Sequence, residues 1–130
     1  MSDRGDYGHF QRMFPSKNVN VDLAAADSGK NDIIAVRSAN HQIYVQKISY
    51  NVITAAAQAV TFQDDAGTPV KIAVVPASQA TPIVFDFGPE GVPLTIGKNL
   101  DISNTAGPAA KIHVEAYEKL AVAVAAASTN

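Results

Sequence analysis

The chain has 130 residues, 10 of them basic and 12 acidic, for a formal charge of −2, and it contains neither cysteine nor tryptophan. Length allows one domain that buries about two-thirds of the surface its unfolded chain exposes. The charge balance provides no basic stripe for neutralising phosphates, which argues against nucleic acid as a partner. Disulfides and thiolate metal sites are excluded, so stability must come from packing or assembly. Much of the 47% hydrophobic fraction is alanine and aromatics are only 7%, so the expected core is thin and aliphatic.

Residues 1–18 mix charges and glycines with Tyr7, Phe10, Met13 and Phe14, with a period of neither 3.6 nor 2. They read as an extended arm. From residue 19 a period of 2 takes over: Val19, Val21 and Leu23 alternate with polar residues as in a half-buried strand. The polar "DSGKND" reads as a turn and "IIAVR" as a short strand. In residues 41–53, Ile43 and Val45 share one parity while Ile48, Tyr50 and Val52 share the other, so a bulge near Gln46 and Lys47 is needed to give one buried face.

"AVTFQ" and "VKIAVV" flank the turn "DDAGTP", predicting a hairpin in which Val60 and Phe62 meet Val70, Ile72 and Val74. Pro76 ends the second strand and "PASQATP" forms a loop. Ile83, Phe85 and Phe87 then alternate with Val84 and Asp86, and "GPEGVP" turns the chain again. "LTI", "NLDIS" and "KIHVEAYEKL" complete eight or nine strands; the last two look like neighbours joined by a break at residues 104–108. Helix is confined to two alanine-rich candidates, "AAAQA" at 55–59 and the C-terminal tail, with a single turn at "AAAD". The expected fold is all-β: an antiparallel, jelly-roll-like β-sandwich over residues 19–120, with an N-terminal arm at 1–18 and an Ala-rich tail at 121–130. The longest apolar run, residues 120–127, falls short of the roughly 20 needed to span a membrane, and the N-terminus lacks a secretory pattern, so a soluble protein made in the cytoplasm is expected.

No catalytic constellation emerges. His9, His41 and His113 lack the spacing that aims two imidazoles at one metal. Asp64, Asp65, Asp86 and Glu90 could gather at one end of a sandwich around calcium, against the plainer reading of solvated turn carboxylates. No serine lies in a nucleophile elbow, Gly88 and Gly91 suit a turn better than a phosphate cradle, and Arg4-Gly5-Asp6 is short enough to occur by chance. The expectation is therefore no enzyme, no cofactor and no metal.

The arm is more informative. Ordering it costs about 1–2 kcal/mol of backbone entropy per residue, which aromatic side chains offset best by burial against a neighbour. Tyr7, Phe10, Arg12 and Phe14 are therefore the candidate partner contacts.

Residues 31–120 resemble small jelly-roll capsid decoration (cement) proteins of tailed bacteriophages and related virion modules. The likeness lies in "NDIIAVRSANHQIYVQKISYNVI", with its I-x-V-x-x-I-x-Y strand, in the small turn "GTPV", and in the closing "PLTIGKNLDISNTAGPAAKIHVEAYEKL". It implies a homotrimer on the outer capsid surface, bridging copies of the major capsid protein and stabilising the shell, with no nucleic acid or membrane partner. The alternative is a tail-fibre or baseplate β-sandwich module that binds another virion protein or a host glycan. That reading calls for exposed aromatics on a loop face, whereas Tyr44, Tyr50 and Tyr117 fall in strands.

Overall fold

A computed structural model of the chain describes residues 14–121. Among them are nine strands: β1 (Val19–Leu23), β2 (Gly29–Ile34), β3 (His41–Thr54), β4 (Val60–Asp64), β5 (Lys71–Val75), β6 (Ile83–Asp86), β7 (Val92–Pro93), β8 (Leu100–Asn104) and β9 (Ala109–Leu120). One antiparallel sheet runs β1-β9-β3-β6, with β7 also on β3, and the other runs β2-β8-β4-β5. The chain passes back and forth between the two layers, which is the jelly-roll connectivity of two interlocked Greek keys. Among the described residues no helix is long and apolar enough to cross a membrane. Residues 55–59 are not helical, and 24–27 close a single turn through the Asp27 N–H and the Ala24 carbonyl at 3.0 Å.

The alternating residues of both sheets meet in one core. Phe62, Ile43, Ile48, Val45, Leu100, Ile102, Ile112 and Val114 are all nearly or fully withdrawn from solvent. Tyr50 of one sheet meets Phe62 of the other edge-on, with ring centroids 6.4 Å apart, and these two are the aromatic residues of the buried set. The β3 bulge lies where the parity change demands it: the register against β9 shifts between Val45 and Lys47, leaving Gln46 as the extra residue.

Four local expectations are corrected. The second strand is the polar "GKNDII", because Lys30, Asn31 and Asp32 pair with β8 at a sheet edge where only one side of the ladder needs a partner, while residues 35–37 leave the strand. The β4–β5 hairpin forms, but Val60 faces Val75 and Phe62 faces Ala73. A register shift after Phe62 moves β5 by one residue, so Ala73 and Val75 go inward and Val74 is left exposed. The short strand after the "GPEG" turn is Val92–Pro93, and Leu94 instead drops into the core as the chain leaves β3. Finally, β8 and β9 are not partners. Residues 105–108 carry the chain from one sheet to the other, β8 pairing with β2 and β4, and β9 with β1 and β3.

Candidate binding face at the root of the arm

Val19 pairs with Val114, and three residues earlier Ser16 bridges to Tyr117 in the same register. Residues 15–18 therefore extend β1 along β9. The Lys17 N–H donates to the Ala116 carbonyl at 2.8 Å, the Glu118 N–H to the Pro15 carbonyl at 3.1 Å, and the Ala116 N–H to the Asn18 side-chain oxygen at 3.1 Å. Strand alternation then sorts the side chains. Lys17 joins Val19, Val21 and Leu23 on the inner parity, and Ser16 and Asn18 point outward. Beneath Lys17 lies Glu118, only 2% exposed, whose carboxylate accepts from the Arg37 N–H at 2.7 Å and sits 3.8 Å from the Lys17 ammonium.

The outward side of this corner is aromatic. Tyr44 and Tyr117 are direct cross-strand partners on β3 and β9, with rings stacked at 5.1 Å and 3°. Phe14 packs on Tyr117 at 5.9 Å. The Lys119 ammonium lies 4.9 Å from the Tyr44 centroid, 5.0 Å from Phe14 and 5.8 Å from Tyr117, so one cation is shared by three rings. The β3 bulge holds the adjoining loop in place: the Gln46 carbonyl accepts from the Phe87 N–H at 2.8 Å and its side-chain amide donates to the Pro89 carbonyl at 2.7 Å. The Tyr117 hydroxyl donates to the Glu90 carbonyl at 2.6 Å. Burial first, then the charges of the ionisable Tyr44 hydroxyl and of Glu90, push the Tyr117 hydroxyl pKa up, so it stays a donor. Between loop and strands runs a groove of about 820 Å³, walled by Phe14, Pro89, Tyr117 and Lys119 and edged by Glu90 and Glu115.

Of the expected contact residues, Phe14 belongs to this face, packed on its own chain, while Tyr7, Phe10 and Arg12 lie outside the described residues. Tyr44 and Tyr117 complete the cluster. Sequence alone places them at the outward parity but gives no pairing across strands, and the pairing is what stacks them. Tyr50 is in the core.

The weighed acids do not converge. Asp86 closes its own turn on the Gly88 N–H at 2.9 Å. Asp64 is fully buried: Oδ1 accepts from Ala66 and Val70 N–H at 3.2 and 3.0 Å, and Oδ2 from the Thr95 N–H at 2.9 Å. Its burial alone would raise the pKa, but hydrogen bonds from Thr95, Val70 and Ala66 outweigh that and hold it below the ordinary carboxylate value. Asp65 instead meets Asp32 and Asp101. His41 contacts the Ser38 hydroxyl at 2.7 Å, and His113 contacts the Asn20 side-chain oxygen at 2.7 Å, two separate polar pairs on the surface. His9 lies outside the described residues. The aromatic face offers apolar contact, a cation shared by three rings and two rim carboxylates.

No family model matches the chain, and no curated protein does. Among solved structures it is similar to a subunit of the Bacillus endospore appendages, described as a novel family of disulfide-linked pili, at 12% identity and a TM-score of 0.48, over 84% of this chain and 89% of that one. It is also similar to a chain of the virus-like particle of the extra small virus of the giant freshwater prawn Macrobrachium rosenbergii, at 16% identity and a TM-score of 0.37, over 81% of this chain and 78% of the other. At these values the likenesses carry no inference about function.

Proposed function

We propose that this chain is a virion structural protein of a tailed bacteriophage, a capsid decoration protein without enzymatic activity that grips the outer surface of the head through its arm and the aromatic face at the arm's root. The observation that supports this most is the continuity of residues 16–23 along β9 beside the Phe14–Tyr44–Tyr117–Lys119 cluster. An arm rooted in a strand passes its grip directly to the sandwich. In this reading the host cytoplasm makes the chain, it assembles as a homotrimer, and the trimer bridges neighbouring copies of the major capsid protein. Each arm then needs only modest affinity, because once one is seated the next binds at high effective concentration.

The test is cosedimentation with phage heads lacking the protein, together with native mass measurement. Three times the 13.6 kDa chain mass is expected, and binding is expected to fall at least tenfold when residues 2–13 are deleted. Unchanged binding by that truncation overturns the role of the arm. A second reading has one observation in its favour: the stacked Tyr44–Tyr117 pair is a surface on which a sugar ring could lie, as a tail-fibre or baseplate module would require. Glycan-array binding that is lost in Tyr117→Ser, with no attachment to heads, would select it.

A further inference from the structure

Asp32 of β2 and Asp101 of β8 are direct cross-strand partners, on the side of the sheet opposite the core residues Leu100 and Ile102. Asp65, the residue after β4, brings a third carboxyl group. One oxygen from each lies within 4.8 Å of the other two. Like charges facing each other across strands are destabilising, so this convergence requires a compensating partner.

Two of the three are partly compensated by Asn99. Its side-chain amide donates to Asp32 Oδ2 at 3.1 Å and its backbone N–H to Asp65 Oδ1 at 2.9 Å, which orients both carboxylates and leaves each with its second oxygen. Asn99 does not reach Asp101, whose side chain hydrogen-bonds with the Asp32 carboxyl instead. Asp101 is 2% exposed, and its Oδ1 has no hydrogen-bond partner at all. A solvated turn carboxylate accounts for Asp32 and Asp65 but not for a carboxyl group held out of water with an orphaned oxygen.

We propose that Asp32, Asp65 and Asp101 bind a calcium ion that ties the β2 edge, β8 and the β4–β5 loop together. The donors are all hard oxygens, with neither imidazole nor thiolate among them, which selects Ca²⁺ or Mg²⁺ over transition metals. Calcium, with oxygen ligands at about 2.3–2.6 Å in a flexible geometry, suits three carboxylates fixed by two strands and a loop, whereas magnesium demands near-ideal octahedral geometry at about 2.0–2.1 Å. Water completes the shell on the exposed side, where Asp32 and Asp65 face solvent. Without the ion, burial first, then the Asp32 carboxyl and the Asp32 and Asp65 charges, against a smaller opposing effect of Lys30, push the Asp101 pKa up to about 7.

The experiment is thermal unfolding and isothermal titration of the full chain with calcium chloride, magnesium chloride or EDTA at pH 7.5. Millimolar Ca²⁺ is expected to raise Tm by roughly 4–8 °C over EDTA, with a smaller rise for Mg²⁺. Asp101→Asn is expected to weaken Ca²⁺ at least tenfold while raising Tm in EDTA, and Asp65→Asn, on the exposed loop, to weaken it without disturbing the fold. No calcium-dependent shift, an equal shift with Mg²⁺, or an undiminished shift in both variants overturns the site. The readout needs only free protein, so it stands or falls separately from attachment to phage heads.

Discussion

The ammonium of Lys17, a residue that composition assigns to the arm, lies 3.8 Å from the carboxylate of Glu118, which is buried in the sandwich. A buried carboxylate that loses its cation is left with an uncompensated charge, so the pair should be sensitive to one-sided change. At 3.8 Å, and with Lys17 28% exposed, part of that effect is screened. Lys17→Ala is expected to cost about 1–3 kcal/mol in urea unfolding. Glu118→Gln, which keeps an acceptor for the Arg37 N–H, is expected to cost less. Deleting residues 2–18 should show the same loss as Lys17→Ala or more.

Asp64 clamps the β4–β5 loop to the segment after β7. Asp64→Ala strands the N–H groups of Ala66, Val70 and Thr95 and is expected to cost about 2–4 kcal/mol by chemical denaturation. Its folded pKa lies below the unfolded value, so its stabilisation is present above about pH 4 and is lost as pH falls below that. Acid unfolding of Asp64→Asn should accordingly show a weaker pH dependence in that range.

Asp101 acts in the opposite direction. With its folded pKa raised from 3.8 to about 7, the native state holds a proton that the unfolded chain has lost between those values. In EDTA, stability is therefore expected to decline as pH rises from about 4 through about 7. The groups facing it are Asp32 and Lys30 from β2 and Asp65 from the loop after β4. Asp101→Asn should flatten this slope in a series of Tm measurements.

Gly97 sits at φ +76°, and a Cβ there would lie 2.8 Å from the Ala39 carbonyl oxygen. Its N–H donates to the His41 carbonyl at 2.7 Å, so the approach to Ala39 is built into the end of β3. Gly97→Ala combines left-handed strain with a backbone clash and is expected to cost about 2 kcal/mol or more in urea unfolding.

At the aromatic face, Lys119→Glu replaces a cation shared by three rings with a charge those ring faces repel. Cosedimentation with phage heads is expected to fall at least tenfold, while Tm changes by only a few degrees because the site is on the surface. Tyr117→Phe tests the loop tether separately: it removes one hydrogen bond to Glu90, worth about 1 kcal/mol, and leaves the stack intact.

The bulge at Gln46 was legible because apolar residues that change parity within one strand can share a buried face only if an extra residue is inserted between them. The one-residue slip of β5 was not, since Val70, Ile72 and Val74 and their alternate Val75 are all apolar, and either face reads as buried. The crossing between β8 and β9 was hidden for a related reason: strands that are consecutive in sequence alternate in the same way whether they pair with each other or with others. The stacked tyrosines and the aspartate triad were out of reach because both are long-range. Asp101 reads locally as an ordinary outward residue of "NLDIS". Only the pairing with β2 brings Asp32 opposite it, and only the β4–β5 loop adds Asp65.

Ser16 keeps along β9 the register of Val19 to Leu23, and this has a mechanical consequence. Tension applied at Phe14 along the strand axis is divided among all the rungs of that ladder at once, whereas a sideways pull would break them one at a time. A tether built in this way resists sliding far better than peeling.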